Sequence, residues 1–253
     1  LIQLRPMMPT MPALSLTVDR QTGAMTLKNQ TGSPVNLASY VITSAFESMA
    51  PSNWLSIADN YDAGSVGVNQ VDAVHNWSEL TNANAHGDLS EADLDSGTGA
   101  TLAHNKTINL SNSGAWIRTP TEDLVFQYVS NGSIVNGIVL FTGNNNTPYA
   151  LGDLNTDGSI NAVDWGILRG NQHKTLSADS FAEAYRMGDL TGDKLNDFAD
   201  FRAFKIAYEA ANGAGSFSAL MTATVPEPST IVLVLSAGLF VFPLVRRRSN
   251  ENK

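Results

Sequence analysis

Between Asp153 and Asp200 the chain sets oxygen-bearing side chains at two matched series of positions. The first series reads Gly152-Asp153-Leu154-Asn155-Thr156-Asp157-Gly158-Ser159-Ile160-Asn161-Ala162-Val163-Asp164. The second reads Gly188-Asp189-Leu190-Thr191-Gly192-Asp193-Lys194-Leu195-Asn196-Asp197-Phe198-Ala199-Asp200, so that Asp189 repeats Asp153 after 36 positions. A hard divalent cation is held by a loop of about 12 residues with oxygen ligands at positions 1, 3, 5, 7, 9 and 12 and glycine at 6 for the sharp turn. In the first series those ligands are Asp153, Asn155, Asp157, the Ser159 carbonyl, Asn161 (directly or through water) and Asp164, with Gly158 at the turn and Ile160 placed to pair with the partner loop. In the second they are Asp189, Thr191, Asp193, the Leu195 carbonyl, Asp197 and Asp200. Thr191 is a neutral, weaker ligand, Lys194 replaces the turn glycine where a positive φ is costly, and Asn196 takes the apolar eighth position. Two calcium sites are therefore expected, the second weaker or with an altered turn. The competing reading of either series is an acidic, solvated turn.

Each loop must be held by the helix that follows it. Asp164 to Arg169 carries Trp165 and Leu168, and Phe198 to Ala211 carries Phe201, Phe204 and Tyr208 at spacings of three and four. Asn212-Gly213 stops the second helix. Ser177 to Arg186, with Phe181 and Tyr185 four apart, reads as a helix between the loops. These aromatic residues are expected to form a core shared by the two halves. This tandem of loop-and-helix units resembles a type I dockerin over about 60 residues, 151–213. The resemblance implies calcium at both ligand sets and docking onto a cohesin through residues near the end of each loop, often a Ser-Thr pair. Here those places hold Ala162-Val163 and Phe198-Ala199, neither of them hydroxylic, a departure that bears on the cohesin partner and leaves the calcium sets intact.

Residues 13–143 read as an all-β unit. Leu14, Leu16 and Val18 alternate with polar residues, as do Met25 and Leu27, with a turn over Arg20 to Gly23. Further runs are Val35 to Ile42, Lys106 to Leu110, Leu124 to Val129 and Ile134 to Phe141, separated by Thr31-Gly32-Ser33-Pro34, Ser113-Gly114 and Asn131-Gly132. Short strands at this spacing predict a β-sandwich, jelly-roll-like. The stretch from Ala50 to Gly99 reads as an irregular insertion with Trp54, Trp77 and many acidic residues. Residues 144–150 are expected to link this domain to the calcium module, and 214–225 to link the module to the tail. Val18 to Ser44, with Leu27-Lys28-Asn29 and Tyr40-Val41-Ile42-Thr43-Ser44, is similar to domains of planctomycete-type surface proteins, a resemblance that carries no activity.

The tail, 226–250, runs Pro226-Glu227-Pro228-Ser229-Thr230, an apolar stretch from Ile231 to Val245, then Arg246-Arg247-Arg248. Three arginines directly after a short apolar stretch stay on the cytoplasmic side of a membrane, leaving the rest of the chain outside. A transmembrane helix is expected here, against the alternative of a buried core helix. Order and position resemble the PEP-CTERM sorting signal, which implies processing by an exosortase-type enzyme at Pro-Glu-Pro, transient anchoring in the inner membrane and delivery to the cell surface or outer envelope. Proteins of that kind carry a signal peptide. The chain opens Leu1-Ile2-Gln3-Leu4-Arg5 without an initiator Met or a signal pattern, so a leader ahead of Leu1 is expected.

Composition agrees with export and excludes some chemistry. The 253 residues carry a net charge of −9, which is unsuited to a nucleic-acid partner. Cysteine is absent, so disulfide and thiolate-metal frameworks are excluded. Glu47, Glu91, Asp93 and Asp95 are candidates for a glycosidase acid pair, with plain surface carboxylates the simpler reading. His75, His86, His104 and His173 are scattered. Trp54, Trp77 and Trp116 suit either sugar stacking or core packing. The sequence thus predicts a mainly β, non-catalytic surface or matrix protein with a small all-α calcium module. The alternative is a carbohydrate-binding component of a polysaccharide-degrading system. A cohesin-like or polysaccharide partner is the one to expect.

Overall fold

The computed structural model describes residues 13–62, 71–72, 76–94 and 99–224. The expected sorting residues Pro226, Glu227, Pro228, Arg246, Arg247 and Arg248 lie outside them, as do the apolar stretch between, His75 and Asp95. Among the described residues no helix is long and apolar enough to cross a membrane. The chain divides into two compact units, residues 1–207 and 208–253.

The first unit is mainly β. Strands β1 (Ser15–Asp19), β2 (Met25–Lys28), β8 (Thr107–Ser111) and β11 (Ile138–Thr142) form a four-stranded sheet in the order β11-β1-β2-β8. Strands β4 (Ser39–Thr43), β5 (Trp77–Glu79), β6 (Asp88–Asp93), β9 (Val125–Ser130) and β10 (Ser133–Asn136) form a five-stranded one in the order β10-β9-β4-β6-β5. A separate pair, β3 (Val35–Leu37) and β7 (Ala100–Leu102), runs antiparallel. Neighbours within the two large sheets are antiparallel except β1 and β11, which are parallel with Leu16 opposite Val139.

Alternation along each strand sends every second side chain inward. Leu16 and Val18 of β1, Met25 and Leu27 of β2 and Ile108 and Leu110 of β8 enter from one sheet; Tyr40 and Ile42 of β4, Leu89 of β6 and Phe126 and Tyr128 of β9 enter from the other. These residues form one hydrophobic core. Trp54, Trp77 and Trp116 belong to it as well, at 9, 4 and 0% exposure. Their burial removes the sugar-stacking reading of these rings.

Two apolar runs break where the sequence showed none. Val35 to Ile42 divides at Ala38, and Ile134 to Phe141 divides at Gly137, whose two sides, β10 and β11, lie in different sheets. A Cβ on Gly137 would stand 2.1 Å from the Phe126 ring, so the crossing needs glycine. The stretch from Ala50 to Gly99 is not an irregular insertion. It supplies a short helix α1 (Ile57–Asn60) and strands β5 and β6, the latter paired along the whole of β4.

The β1–β2 turn yields a test. Gly23 has φ +72°, and a Cβ there would lie 2.4 Å from the Trp116 carbonyl oxygen. Its own carbonyl accepts the Trp116 N–H at 3.1 Å, so neither backbone can retreat without losing that bond. Gly23→Ala is expected to destabilise the protein by about 2–4 kcal/mol, from left-handed strain plus overlap, read as a lower urea midpoint with unchanged slope.

Beyond β11 the same unit continues into the loop region. Tyr149 is buried and its hydroxyl donates to the Arg20 carbonyl at 2.8 Å. Helices α2 (Ala162–Asn171), α3 (Phe181–Arg186) and α4 (Phe198–Asn212) follow, with a two-residue pairing of β12 (Lys174–Thr175) and β13 (Leu195–Asn196). Trp165 meets Phe201 edge-on and Phe204 at a tilt, each at 6.0 Å between ring centres. Trp165, Leu168, Tyr185 and Phe204 are buried, whereas Phe198 is 73% exposed. In the second unit α4 ends at Gly213, with φ +98°, and α5 (Ser216–Thr224) occupies most of the stretch expected as a linker. Tyr208 and Phe217 meet there edge-on at 5.7 Å.

Candidate metal centre

The two acidic series share one frame of backbone-amide hydrogen bonds to the side chains at positions 1, 5, 9 and 12. In the first, Gly158 N–H donates to Asp153 Oδ2 (2.9 Å) and Asp157 N–H to Asp153 Oδ1 (3.1 Å). In the second, Lys194 N–H donates to Asp189 Oδ2 (2.7 Å) and Asp193 N–H to Asp189 Oδ1 (3.2 Å). Asp164 Oδ1 accepts from Leu154 and Asn155 (2.8 and 3.2 Å) and its Oδ2 from Asn161 (2.8 Å). Asp200 Oδ1 accepts from Leu190 and Thr191 (2.8 and 3.0 Å) and its Oδ2 from Asp197 (2.9 Å). Ser159 and Leu195 donate to Asp157 and Asp193, each at 2.9 Å, and Val163 and Ala199 to Asn161 and Asp197, each at 2.7 Å.

Backbone torsions repeat as well. Gly152 and Gly188 precede the loops with φ of 101° and 105°. The fourth and sixth positions are left-handed in both: Thr156 and Gly158 in the first, Gly192 and Lys194 in the second, at 58°, 93°, 82° and 59°. Each loop thus uses glycine at one of the two strained positions and a side-chain residue at the other. The altered turn expected from Lys194 does not occur, because Asp189 grips the Lys194 N–H as Asp153 grips that of Gly158.

The carboxylates at positions 1 and 12 are the buried ones: Asp153, Asp164, Asp189 and Asp200 are at most 1% exposed. They are set by local structure. Asn161 caps α2 and Asp164 returns the bond in a capping box, while Asp200 lies in the first turn of α4. The ligands at 5 and 7 face solvent, leaving an open side. In the second loop, carboxylate oxygens of Asp189, Asp193 and Asp200 lie within 4.8 Å of one another. In the first, Asp157 Oδ2 takes amide hydrogens from Asn155 (2.7 Å) and Asn161 (3.3 Å). Burial raises the Asp153 carboxyl above its usual range, and the nearby Asp164 charge raises it further, against the Gly158 and Asp157 amides. A cation between them would relieve both penalties. All the side-chain donors are hard oxygens, the set that suits calcium. The residues fit the ion.

Ile160 is buried, and the strand partner of Leu195-Asn196 is Lys174-Thr175. At the equivalent place Asn196 is buried and its amide donates to the Leu168 and Met187 carbonyls at 3.0 and 3.2 Å. It holds α2 and the end of α3 to the second loop. The sequence offered no signal for that role beyond a polar residue at an apolar position.

Glu47, Glu91 and Asp93, three of the candidates for a hydrolase acid pair, bind groups within the chain. Glu91 lies in the core, accepting the Tyr40 hydroxyl and the Ile57 and Ala58 amides. Asp93 Oδ2 accepts the Gly99 amide at 3.0 Å, and Glu47 receives the Phe181 N–H.

No protein family and no curated protein sequence matches the chain. Among solved structures, an inactive mutant of a glycoside hydrolase family 20 exo-β-N-acetylglucosaminidase from Vibrio harveyi is similar over 51% of this chain and 18% of its own, at 10% identity and a TM-score of 0.24. The chain thus spans less than a fifth of that protein, and a likeness this low carries no argument.

Proposed function

We propose that the chain is an exported, non-catalytic surface or matrix protein in which a dockerin-like pair of calcium loops (151–213) is carried by a jelly-roll-like β-sandwich (13–143). The observation that supports this best is the repetition of one ligand frame in both loops, down to the amides that orient the carboxylates at positions 1 and 12. An acidic surface turn has no need to bury those carboxylates or to repeat their bonds. Asp153, Asn155, Asp157, the Ser159 carbonyl, Asn161 and Asp164 would hold one calcium. Asp189, Thr191, Asp193, the Leu195 carbonyl, Asp197 and Asp200 would hold the other. Calcium supplies charge compensation and a fixed loop geometry, so it acts on stability and docking rather than on bond chemistry.

The sorting reading rests on the tail. Pro226-Glu227-Pro228, the apolar stretch as a transmembrane helix and Arg246-Arg247-Arg248 suit an exosortase-type enzyme and delivery to the cell surface through the inner membrane. A cohesin-like partner fits the module; its contact would be apolar, through Val163 and Phe198, which are 57% and 73% exposed. The burial of Trp54, Trp77 and Trp116 weighs against a carbohydrate platform on those rings.

Calorimetric titration of calcium into the full chain tests the reading. Two sites are expected, one lost in Asp153→Ala and the other in Asp189→Ala, with dissociation constants on the order of 10⁻⁴ to 10⁻³ M for extracellular modules of this kind. At 100 times that constant each site would add about 2.7 kcal/mol of stability. A chain that takes up no calcium, and whose melting is unmoved by chelator, would sink the proposal.

A further inference from the structure

Lys194 occupies a backbone conformation that glycine adopts without strain, and it does so with a φ of 59°. Its amide belongs to the second loop, donating to Asp189 Oδ2 at 2.7 Å. Its side chain leaves the loop and crosses to the β-rich part of the chain. There Nζ stands 3.7 Å from Glu47 Oε2, 4.8 Å from the centre of the Phe181 ring, and 3.5 Å from the Asp179 carbonyl, to which it donates. Glu47 is itself left-handed, at φ 55°. The same Oε2 accepts the Phe181 N–H at 3.2 Å, the first amide of α3. Beside it the rings of Phe46 and Phe181 stack at 6.3 Å. The first loop has Gly158 at the equivalent position and so sends no side chain anywhere.

Two strained residues from distant parts of the chain therefore meet in one contact, and each holds its conformation while making it. Strain kept on both sides of a contact points to a role for the contact. We propose that Lys194 and Glu47 form a latch that couples cation occupancy of the second loop to the seating of α3 on the Phe46–Glu47 turn. This rests on the calcium reading of that loop. A cation among Asp189, Asp193 and Asp200 fixes the loop and with it the left-handed backbone that aims Lys194 at Glu47. By linkage, a seated Lys194 holds the loop in the form that takes the cation. A lysine stands at the glycine position because only a side chain there can reach the β-rich part.

Calcium titration of the full chain, of Glu47→Gln, of Lys194→Gly and of the double variant tests the latch. Glu47→Gln is expected to weaken one of the two sites by about 1.5-fold to 5-fold, the range of a partly exposed ion pair, and to leave the other unchanged. In the Lys194→Gly background the same substitution is expected to have no effect. An equal effect in both backgrounds would mean that Glu47 acts as a distant charge, and no effect in either would mean that the contact is idle; both overturn the latch. Hydrogen exchange supplies a second readout. Calcium should slow exchange of the Phe181 amide in the wild type and not in Lys194→Gly, and equal protection in the two overturns it. A wild-type chain without calcium sites removes the metal reading itself, whereas two wild-type sites with a background-independent Glu47 effect remove only the latch.

Discussion

Asp164→Ala is expected to destabilise the protein by about 3–5 kcal/mol and to abolish cation binding at the first loop. The Asp164 carboxylate is fully buried and gathers the Leu154, Asn155 and Asn161 amides. It thereby ties the beginning and the end of the loop to the first turn of α2. Truncation leaves three donors without an acceptor, each costing about 1–3 kcal/mol to the extent that it is buried. The Leu154 amide is the buried one and the other two are part-buried, so the lower half of that range applies to them. Asp164→Asn separates frame from ligand. Its remaining oxygen can serve Leu154 and Asn155, but its amide nitrogen would face the Asn161 N–H. Asn is therefore expected to retain the fold at roughly half the loss and to bind the cation poorly. Urea unfolding with calcium and with chelator reads both effects. A wild-type midpoint for Asp164→Ala in chelator would show that the amide frame holds nothing. Asp200→Ala should behave alike at the second loop, with loss of the Thr191 hydroxyl bond in addition.

Glu91→Ala should cost about as much, in the β-rich part of the chain. Glu91 is fully buried in β6, directly across from Tyr40 of β4. Oε1 accepts the Tyr40 hydroxyl at 2.5 Å and the Ile57 amide at 2.8 Å, and Oε2 accepts the Ala58 amide at 2.9 Å. The carboxyl is thus the acceptor that closes the N-terminus of α1 from inside the core. Alanine would leave these donors unpaired, for a loss of about 3–5 kcal/mol. Glutamine would present N–H₂ to one of the two amides and recover only part.

Burial raises the Glu91 carboxyl to about 7, the Tyr40 hydroxyl and the two amides pulling the other way. Since the folded value exceeds the usual 4.5, the folded protein keeps a proton that the unfolded chain has released. Glu91's contribution is therefore complete below about pH 4.5 and is lost as pH rises to about 7, by roughly 3 kcal/mol in all. Stability of wild type minus that of Glu91→Gln, measured from pH 4 to 8, should fall over this window. A flat difference would contradict the assignment.

The buried Glu91 also explains why part of the fold was illegible. Strand β6 reads Asp88-Leu89-Ser90-Glu91-Ala92-Asp93, and a carboxylate stands where alternation calls for an apolar residue. A pattern rule has no means of knowing that a helix N-terminus and a tyrosine hydroxyl wait inside to receive it. The breaks at Ala38 and Gly137 were hidden for a related reason. Each is a small residue within an apolar run, and at Gly137 what demands it is the Phe126 ring on another strand. The loops were legible because their constraint is local: ligand, turn and capping residue all fall within a dozen positions. What spacing could not supply was the tertiary part. The packing of Trp165 on Phe204 followed from helical periodicity, but the place of Asn196 between α2 and α3 did not. The same is true of Lys194, which looked like a defect in a calcium loop and is a contact with Glu47.

The parallel pairing of β1 with β11 has a consequence for how the chain comes to be folded. Among the described residues β1 is the first strand of the β-rich part and β11 the last, and Ser15 lies opposite Ile138. Until residue 142 has left the ribosome, or has crossed a membrane, one whole edge of β1 has no partner. Loop closure over so many residues makes such a sheet slow, on the order of milliseconds to seconds. An unpaired edge of this kind invites pairing with another chain. The β-rich part therefore cannot be completed progressively from its N-terminus; it is sealed by a late strand, and the two acidic loops follow that strand in the chain.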